Sequence, residues 1–190
     1  MACCSSGFVV RPGLGAILMG FLSMLVGCAK HQKPAPLDET YKQLRAQAFN
    51  IRASEIGLAE DHSGPLAAVM ELNLSDTVVT LVAAADGSTS LYFGSGGGVI
   101  GAGDKTAVQT ASGEFLSAAS EQAALMRASR TQPYPEGGKI QFFLIRTDGV
   151  LTADADEKEL QHGQGGLSSL YAKGQDVITA IREAGSAGRG

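Results

Sequence analysis

Cys28 is the residue of this chain best placed for covalent chemistry. Leu25-Val26-Gly27 stand directly before it, and Lys30 follows almost at once. The stretch from Ala16 to Val26 holds 11 residues and no ionisable side chain. That length fits the apolar core of a secretion signal, roughly 7–15 residues. It falls well short of the roughly 20 residues that carry a helix across a hydrocarbon core. Arg11 and the amino terminus are the positive charges ahead of it. A processing enzyme must accept an extended backbone with little side-chain bulk, and Gly27 meets that need. The plainer alternative is an ordinary cleaved signal, or a short uncleaved anchor, beside an incidental cysteine.

Leu25-Val26-Gly27-Cys28 resembles the lipobox of bacterial lipoproteins: Leu, a small or branched residue, Gly or Ala, then Cys. The resemblance implies a diacylglyceryl group on the Cys28 thiol. Cleavage before Cys28 would leave it as the acylated amino terminus, holding the protein on a membrane through chains such as palmitate. Ala29, where an Asp would imply retention at the inner membrane, points to the outer membrane of a Gram-negative envelope. Loss of the signal, residues 1–27, takes Cys3 and Cys4 with it and leaves 163 of 190 residues. The domain behind Cys28 then has no thiol for a disulfide, a zinc site or nucleophilic catalysis.

The second candidate is the glycine-rich segment, residues 94–103, in which six of ten residues are glycine. Gly96-Gly97-Gly98-Val99-Ile100-Gly101 fits the G-x-G-x-x-G spacing of a dinucleotide site. Such a site needs an acid about 20 residues on, at the end of the next strand, to hold a ribose. Glu114 and Glu121 occupy that region, and both fall inside a predicted helix. A hairpin before the loop is also wrong for a parallel βαβ unit. A phosphate loop fails at Asp104, which precedes Lys105-Thr106 and would repel the phosphates that backbone amides should cradle. Two readings of the segment remain. It is a closely packed strand-to-helix crossing, or a ligand-binding loop in which Gly96, Gly97, Gly98, Gly101 and Gly103 let a ligand approach the backbone.

The remaining polar residues form no reactive constellation. Asp154 and Asp156 match the first two ligand positions of a calcium loop, but Lys158 then takes a ligand position, and Glu157 and Glu159 do not complete the pattern. His31 reads as a solvated residue of the tether, and His62 and His162 stand alone in turn-rich segments with no His or Cys at metal-ligand spacing. Ser168 and Ser169 sit where they would cap a helix, and no G-x-S-x-G elbow is present. The expectation is therefore no catalytic residue, no metal and no cofactor.

The elements around these residues suggest one α+β domain. Lys30 to Pro36 is polar and contains Pro34 and Pro36, as an extended tether over residues 28–37 would. The domain follows over 38–184, and residues 185–190 read as a disordered tail. A first helix starts at Asp38 and runs towards Ile56, with Tyr41, Leu44, Ala48 and Ile51 on its apolar face and Arg45 off it. Strands are predicted from Leu66 to Leu74, Val78 to Ala83 and Ser90 to Phe93, with turns at Ser75-Asp76 and Asp86-Gly87. A second helix runs from Asp104 to about Arg127, with Val108, Phe115, Ala119 and Met126 on its buried stripe. Strands from Lys139 to Ile145 and Val150 to Ala153 meet at an Asp148-Gly149 turn. Ser168 to Glu183 is the last helix, with Leu170, Tyr171, Val177, Ile178 and Ile181 on one side.

The order α-β-β-β-α-β-β-α, with a mainly antiparallel five-stranded sheet, resembles the roadblock and profilin-like group of small α/β sandwiches. Ser90-Leu91-Tyr92-Phe93, Ser95 to Gly101, Thr147-Asp148-Gly149-Val150 and Gly174-Gln175-Asp176-Val177-Ile178 also resemble an uncharacterised small bacterial domain family. That second likeness implies a fold and no chemistry. Losing Arg11 leaves 14 basic and 19 acidic residues, a net charge of −5. An acidic domain gains nothing from counterion release on nucleic acid, so that partner class is set aside. The leading expectation is a lipid-anchored, non-catalytic binding or assembly domain in the cell envelope, meeting a protein partner or a second copy through a sheet edge. The alternative is a small-ligand sensor or envelope enzyme built around residues 94–103 and Asp148.

Overall fold

The computed structural model describes residues 36–74 and 77–187. Cys28, the signal and most of the tether lie outside those residues, as do the Ser75-Asp76 turn and the last three residues. The elements are α1 (Glu39–Phe49), β1 (Pro65–Leu74), β2 (Thr77–Ala84), β3 (Thr89–Phe93), β4 (Gly98–Val99), α2 (Thr106–Glu121), β5 (Arg127–Ser129), β6 (Lys139–Arg146), β7 (Gly149–Asp156), α3 (Glu157–Gln161) and α4 (Ser168–Ala187). Among the described residues no helix is long and apolar enough to cross a membrane.

The expected α+β class and antiparallel sheet are present. The expected five strands are corrected to seven, in the order β4-β3-β2-β1-β6-β7-β5, with every neighbouring pair antiparallel. The expected element order is corrected with it, by the short strands β4 and β5 and the short helix α3. Two strands were missed for a physical reason. β4 and β5 have two and three residues, too few to show a period, and each exists only because a longer strand offers it a pairing edge. The stripe of Val108, Phe115, Ala119 and Met126 predicts a helix to about Arg127. α2 instead stops at Glu121, and a 3₁₀ turn over Ala123–Leu125 leads into β5. The first helix likewise stops at Phe49, with a separate 3₁₀ turn at Ala53–Ile56. The last helix runs further than expected, into the predicted tail, to Ala187.

Both sheet faces are covered, so the central strands are apolar almost without interruption. Residues 66–72 of β1 and 78–84 of β2 are all buried. One face packs against α2 and α4 through Met70, Leu81, Phe142, Val108, Phe115, Leu170 and Val177. The other packs against α1 through Val69, Val82, Phe143 and Tyr41, with Phe49 edge-on to Phe143 at 4.8 Å.

Arg45 is the exception to the apolar rule. It is buried between Tyr41 and Ala48 on the inward stripe of α1, which corrects its expected place off that face. The cause is Glu71, a fully buried carboxylate in the middle of β1. Arg45 Nε and Nη2 donate to its two oxygens at 2.6 and 2.9 Å. Thr80 Oγ1 donates to Glu71 at 2.9 Å, and the Tyr41 hydroxyl meets Thr80 at 2.9 Å. Arg45 Nη2 also donates to the Gln132 carbonyl at 2.9 Å, and its guanidinium lies 4.2 Å from the Tyr134 ring centre. Burial, the largest single influence, pulls the guanidinium down, but the Glu71 hydrogen bonds and charge, with Tyr134 and Tyr41, together push it up. Burial, with the Glu71 charge, pushes the Tyr41 phenol up as well, so it stays protonated as a hydroxyl.

A buried pair is costly to break because the surviving charge has no water. Arg45→Ala is expected to lose about 3–5 kcal/mol in urea unfolding. Replacing both partners, Arg45→Met with Glu71→Leu, should lose much less. Equal losses in the two would show that the pair's charge is not what the substitution exposes.

Candidate functional site

The glycine-rich segment leaves β3 at Phe93 and returns along it as β4. Leu91 pairs with Val99 and Tyr92 with Gly98. A β-carbon at Gly98 would run into the Leu91 carbonyl oxygen, so only glycine lets the two backbones approach there. Gly103 is the second such place, because a β-carbon would meet the carbonyl oxygen of Gly87 in the β2–β3 turn. Gly97 and Gly101 face open space, and Gly96 lies beside Asp38.

The register that sets β4 also lines up apolar side chains across four strands. Leu72, Val79 and Phe93 are successive cross-strand partners, and Leu91 faces Val99 one row away. These residues, with Leu74, form the floor of a cleft of about 570 Å³. Its roof is one stripe of α4: Tyr171, Gln175, Ile178, Arg182 and Gly185. Their spacing of four, three, four and three is the repeat of a single helix face. Glu157 and Gln161 of α3 complete the wall, with Gln161 Nε2 donating to Glu157 at 3.2 Å.

Gly174 explains how α4 comes so close to the sheet just before the cleft. A β-carbon there would stand 2.6 Å from the Met70 sulfur and 3.4 Å from the Phe115 ring. Lys173 fixes the same level of the helix by an ion pair to Glu114 of α2 at 2.7 Å, and that bond pushes its ammonium up. Along this helix Leu170 and Val177 turn into the core, Tyr171 and Ile181 lie between core and cleft, and Ile178 and Arg182 face the cleft.

The cleft has the size of an ordinary small-ligand site, roughly 300–1,000 Å³. Its lining is mostly aliphatic and aromatic, with Glu157, Gln161, Gln175 and Arg182 as polar groups. Leu74 and Val99 at its rim are 48% and 41% exposed, and Ile100 beside them is 65% exposed. Arg182 pairs with no carboxylate among the described residues. Such a surface can hold an apolar group and orient a polar one; the lining side chains include no thiol, serine or histidine to attack a bond.

The structure does not gather the predicted candidates. Cys28 lies outside the described residues. None of Gly96, Gly97, Gly98, Gly101 and Gly103 lines the cleft, to which their segment contributes Val99. Asp148 sits in the β6–β7 turn, paired with Arg146 at 2.7 Å and separated from β4 by the strands between. Asp154 is shared between Arg127 and Lys139, and Asp156 caps α3 by accepting from the amides of Lys158 and Glu159. Lys105 reaches Asp104 at 3.1 Å. His162 Nδ1 meets the Lys158 carbonyl at 2.6 Å, and Ser168 Oγ donates to Gly165. Among the described residues no three His, Cys, Asp or Glu side chains stand close enough to share a metal. The cleft-facing stripe of α4 was the signal available in the sequence. Leu170 and Tyr171, like Val177 and Ile178, are adjacent residues that face different neighbours, so one predicted apolar side is really two.

No family model matches the sequence, and no curated protein or solved structure matches it at a significant level.

Close backbone approach makes a sharp distinction among the glycines. Gly103→Ala is expected to lose more than about 1 kcal/mol, because the Gly87 carbonyl must move. Gly113→Ala, on the exposed side of α2 with free space around it, should gain about 0.4–1 kcal/mol. Paired urea titrations read both, and a neutral Gly103→Ala would refute the close packing.

Proposed function

We propose that this chain is a bacterial lipoprotein, held in the cell envelope by acyl chains on Cys28, whose domain binds an apolar ligand or partner segment without catalysis. The cleft beneath α4 carries the reading. Water in contact with its half-exposed leucine, valine and isoleucine side chains is released when an apolar group enters, at about 25 cal/mol per Å² covered. Polar groups at its margin supply orientation, as in most small-ligand sites. The short stretch from Cys28 to the domain keeps that cleft within the envelope, where apolar partners are concentrated.

The small-ligand sensor expected from residues 94–103 shares this cleft, because Val99 of that segment lines it. In that version the glycines set the position of β4 rather than touching the ligand. The outer membrane is the proposed address, resting on Ala29 alone.

Two measurements in the producing cell test the reading. Cys28→Ala should abolish membrane retention and the lipid mass increment; a processed product that still fractionates with membranes refutes acylation. A photoreactive benzoylphenylalanine in place of Ile178 should give adducts on illumination, whereas the same residue in place of exposed Leu125 should not. Absence of adducts at both positions would leave the cleft without a binding role.

A further inference from the structure

The described chain starts at the same corner of the sheet where the cleft opens. The Asp38 amide donates to the Gly94 carbonyl at 2.9 Å, and the Gly94 amide donates to Val78 at 2.7 Å. Leu37 packs so close to Gly94 that a β-carbon there would stand 2.7 Å from its methyl group. Gly94 directly follows Phe93, which lines the cleft on the other face of the sheet, and Thr77 beside it pairs with Leu74. The chain therefore enters the domain within a residue or two of the cleft's open end.

Chain length turns this adjacency into an orientation. Leu37 follows Cys28 by nine positions, a reach of about 30 Å at full stretch. A domain of this size has a radius of gyration of about 15 Å. Such a body is about 40 Å across, so the span from Cys28 is shorter than the body it holds, and the corner at Gly94 stays near the point where Cys28 is fixed. Leu74 and Val99, exposed aliphatic side chains of the cleft lining, lie on the strands that meet near that corner, and exposed Ile100 follows Val99.

We propose that this corner rests on the bilayer entered by the Cys28 anchor, and that the cleft takes up one acyl chain of a membrane phospholipid there. The inference rests on the lipoprotein reading above. The acyl chain leaves one dry apolar medium for another and gains little; the driving force is the drying of the cleft lining and of the three rim side chains. Arg182 at the cleft margin supplies a guanidinium for the phosphate of the same lipid, which fixes how far the chain enters. A single chain suits a narrow cleft between one helix and the sheet, and the rest of the phospholipid stays in the leaflet.

The chain contains no tryptophan, so one introduced tryptophan reports its own surroundings without background. The experiment uses the full acylated protein in phosphatidylethanolamine–phosphatidylglycerol vesicles, some made with phospholipid brominated along its acyl chains. Three variants are compared: Leu74→Trp at the rim, Ile178→Trp in the roof, and Leu125→Trp beside the start of α4. Acylation by mass and flotation with the vesicles are measured first on the same preparation. Loss of most emission from Leu74→Trp and Ile178→Trp, with Leu125→Trp unaffected, is the expected result. Quenching at Leu74→Trp alone would mean that the corner touches the membrane while the cleft stays without lipid, which overturns the occupancy. Equal weak quenching at all three, in protein that is acylated and floats, overturns this inference and leaves the lipoprotein reading standing. Unacylated protein that does not float overturns both. A Cys28 chain folded into the cleft carries no bromine, so it too would leave Ile178→Trp unquenched, and it counts against the proposal.

Discussion

A carboxylate buried in the middle of a sheet covered on both faces sets the terms for the rest of this fold. Glu71 has no access to solvent, so its two oxygens must find donors within the protein. Arg45 supplies two hydrogen bonds from α1, and Thr80 supplies a third from the neighbouring strand. Arg45 is itself held by the Gln132 carbonyl and sandwiched between the rings of Phe49 and Tyr134. One ion pair thereby fixes α1 against the sheet and ties down the connection before β6. Asn73 holds the same connection through the Pro135 carbonyl. Geometry matters more than net gain here, since buried pairs are retained in some proteins for the arrangement they enforce.

With that face closed by α1, the opposite face is left to α2 and α4, and the two helices cover it unequally. α2 lies over β1 and β2 through Val108 and Phe115, both fully buried. α4 packs tightly at Gly174, where the missing side chain admits Met70 and Phe115. Its later turns face the floor made by Leu72, Val79, Leu91, Phe93 and Val99 across a gap rather than packing onto it. A helix held off the sheet in this way leaves volume beneath it. The cleft is thus a consequence of where α4 is pinned.

What could be read in the sequence was what is encoded locally. β1, β2, β3, β6 and β7 show as apolar runs of five to ten residues between turn residues. Asp86-Gly87 turns the chain as expected, with Ser88 donating to Asp86 through both its amide and its hydroxyl. Asp38 caps α1 by accepting from the Tyr41 amide at 3.1 Å. Several of the failures involve partners distant in sequence. Arg45 looked like a solvated helix residue because nothing near it shows that Glu71, 26 positions away, is buried. β5 pairs with β7 across more than twenty residues. Gly98 and Gly103 look permissive in the sequence, whereas in the fold each makes room for a particular backbone oxygen. The cleft left only the second apolar stripe of α4 as its trace, because a cavity is the volume that packing leaves over and no residue type marks it.

The open shape of the cleft fits a site that never has to find its ligand by diffusion. A protein free in solution needs a pocket that covers about 70–90% of a small ligand's surface. This cleft leaves Leu74 and Val99 at its rim nearly half exposed, and Ile100 beside them more so. Under the proposed anchoring, a short tether raises the local concentration of anything in the membrane to the millimolar range, so a shallow site suffices. It also removes the reason to bury the rim, because the bilayer itself completes it. The hydrogen bond from Asp38 to Gly94 is then the decisive link between anchor and cleft. It joins the entering chain to the loop that leads into β4, so the element that receives the tether also builds the mouth. A tether entering at the β6–β7 turn, several strands away, would leave the same cleft pointing wherever tumbling took it.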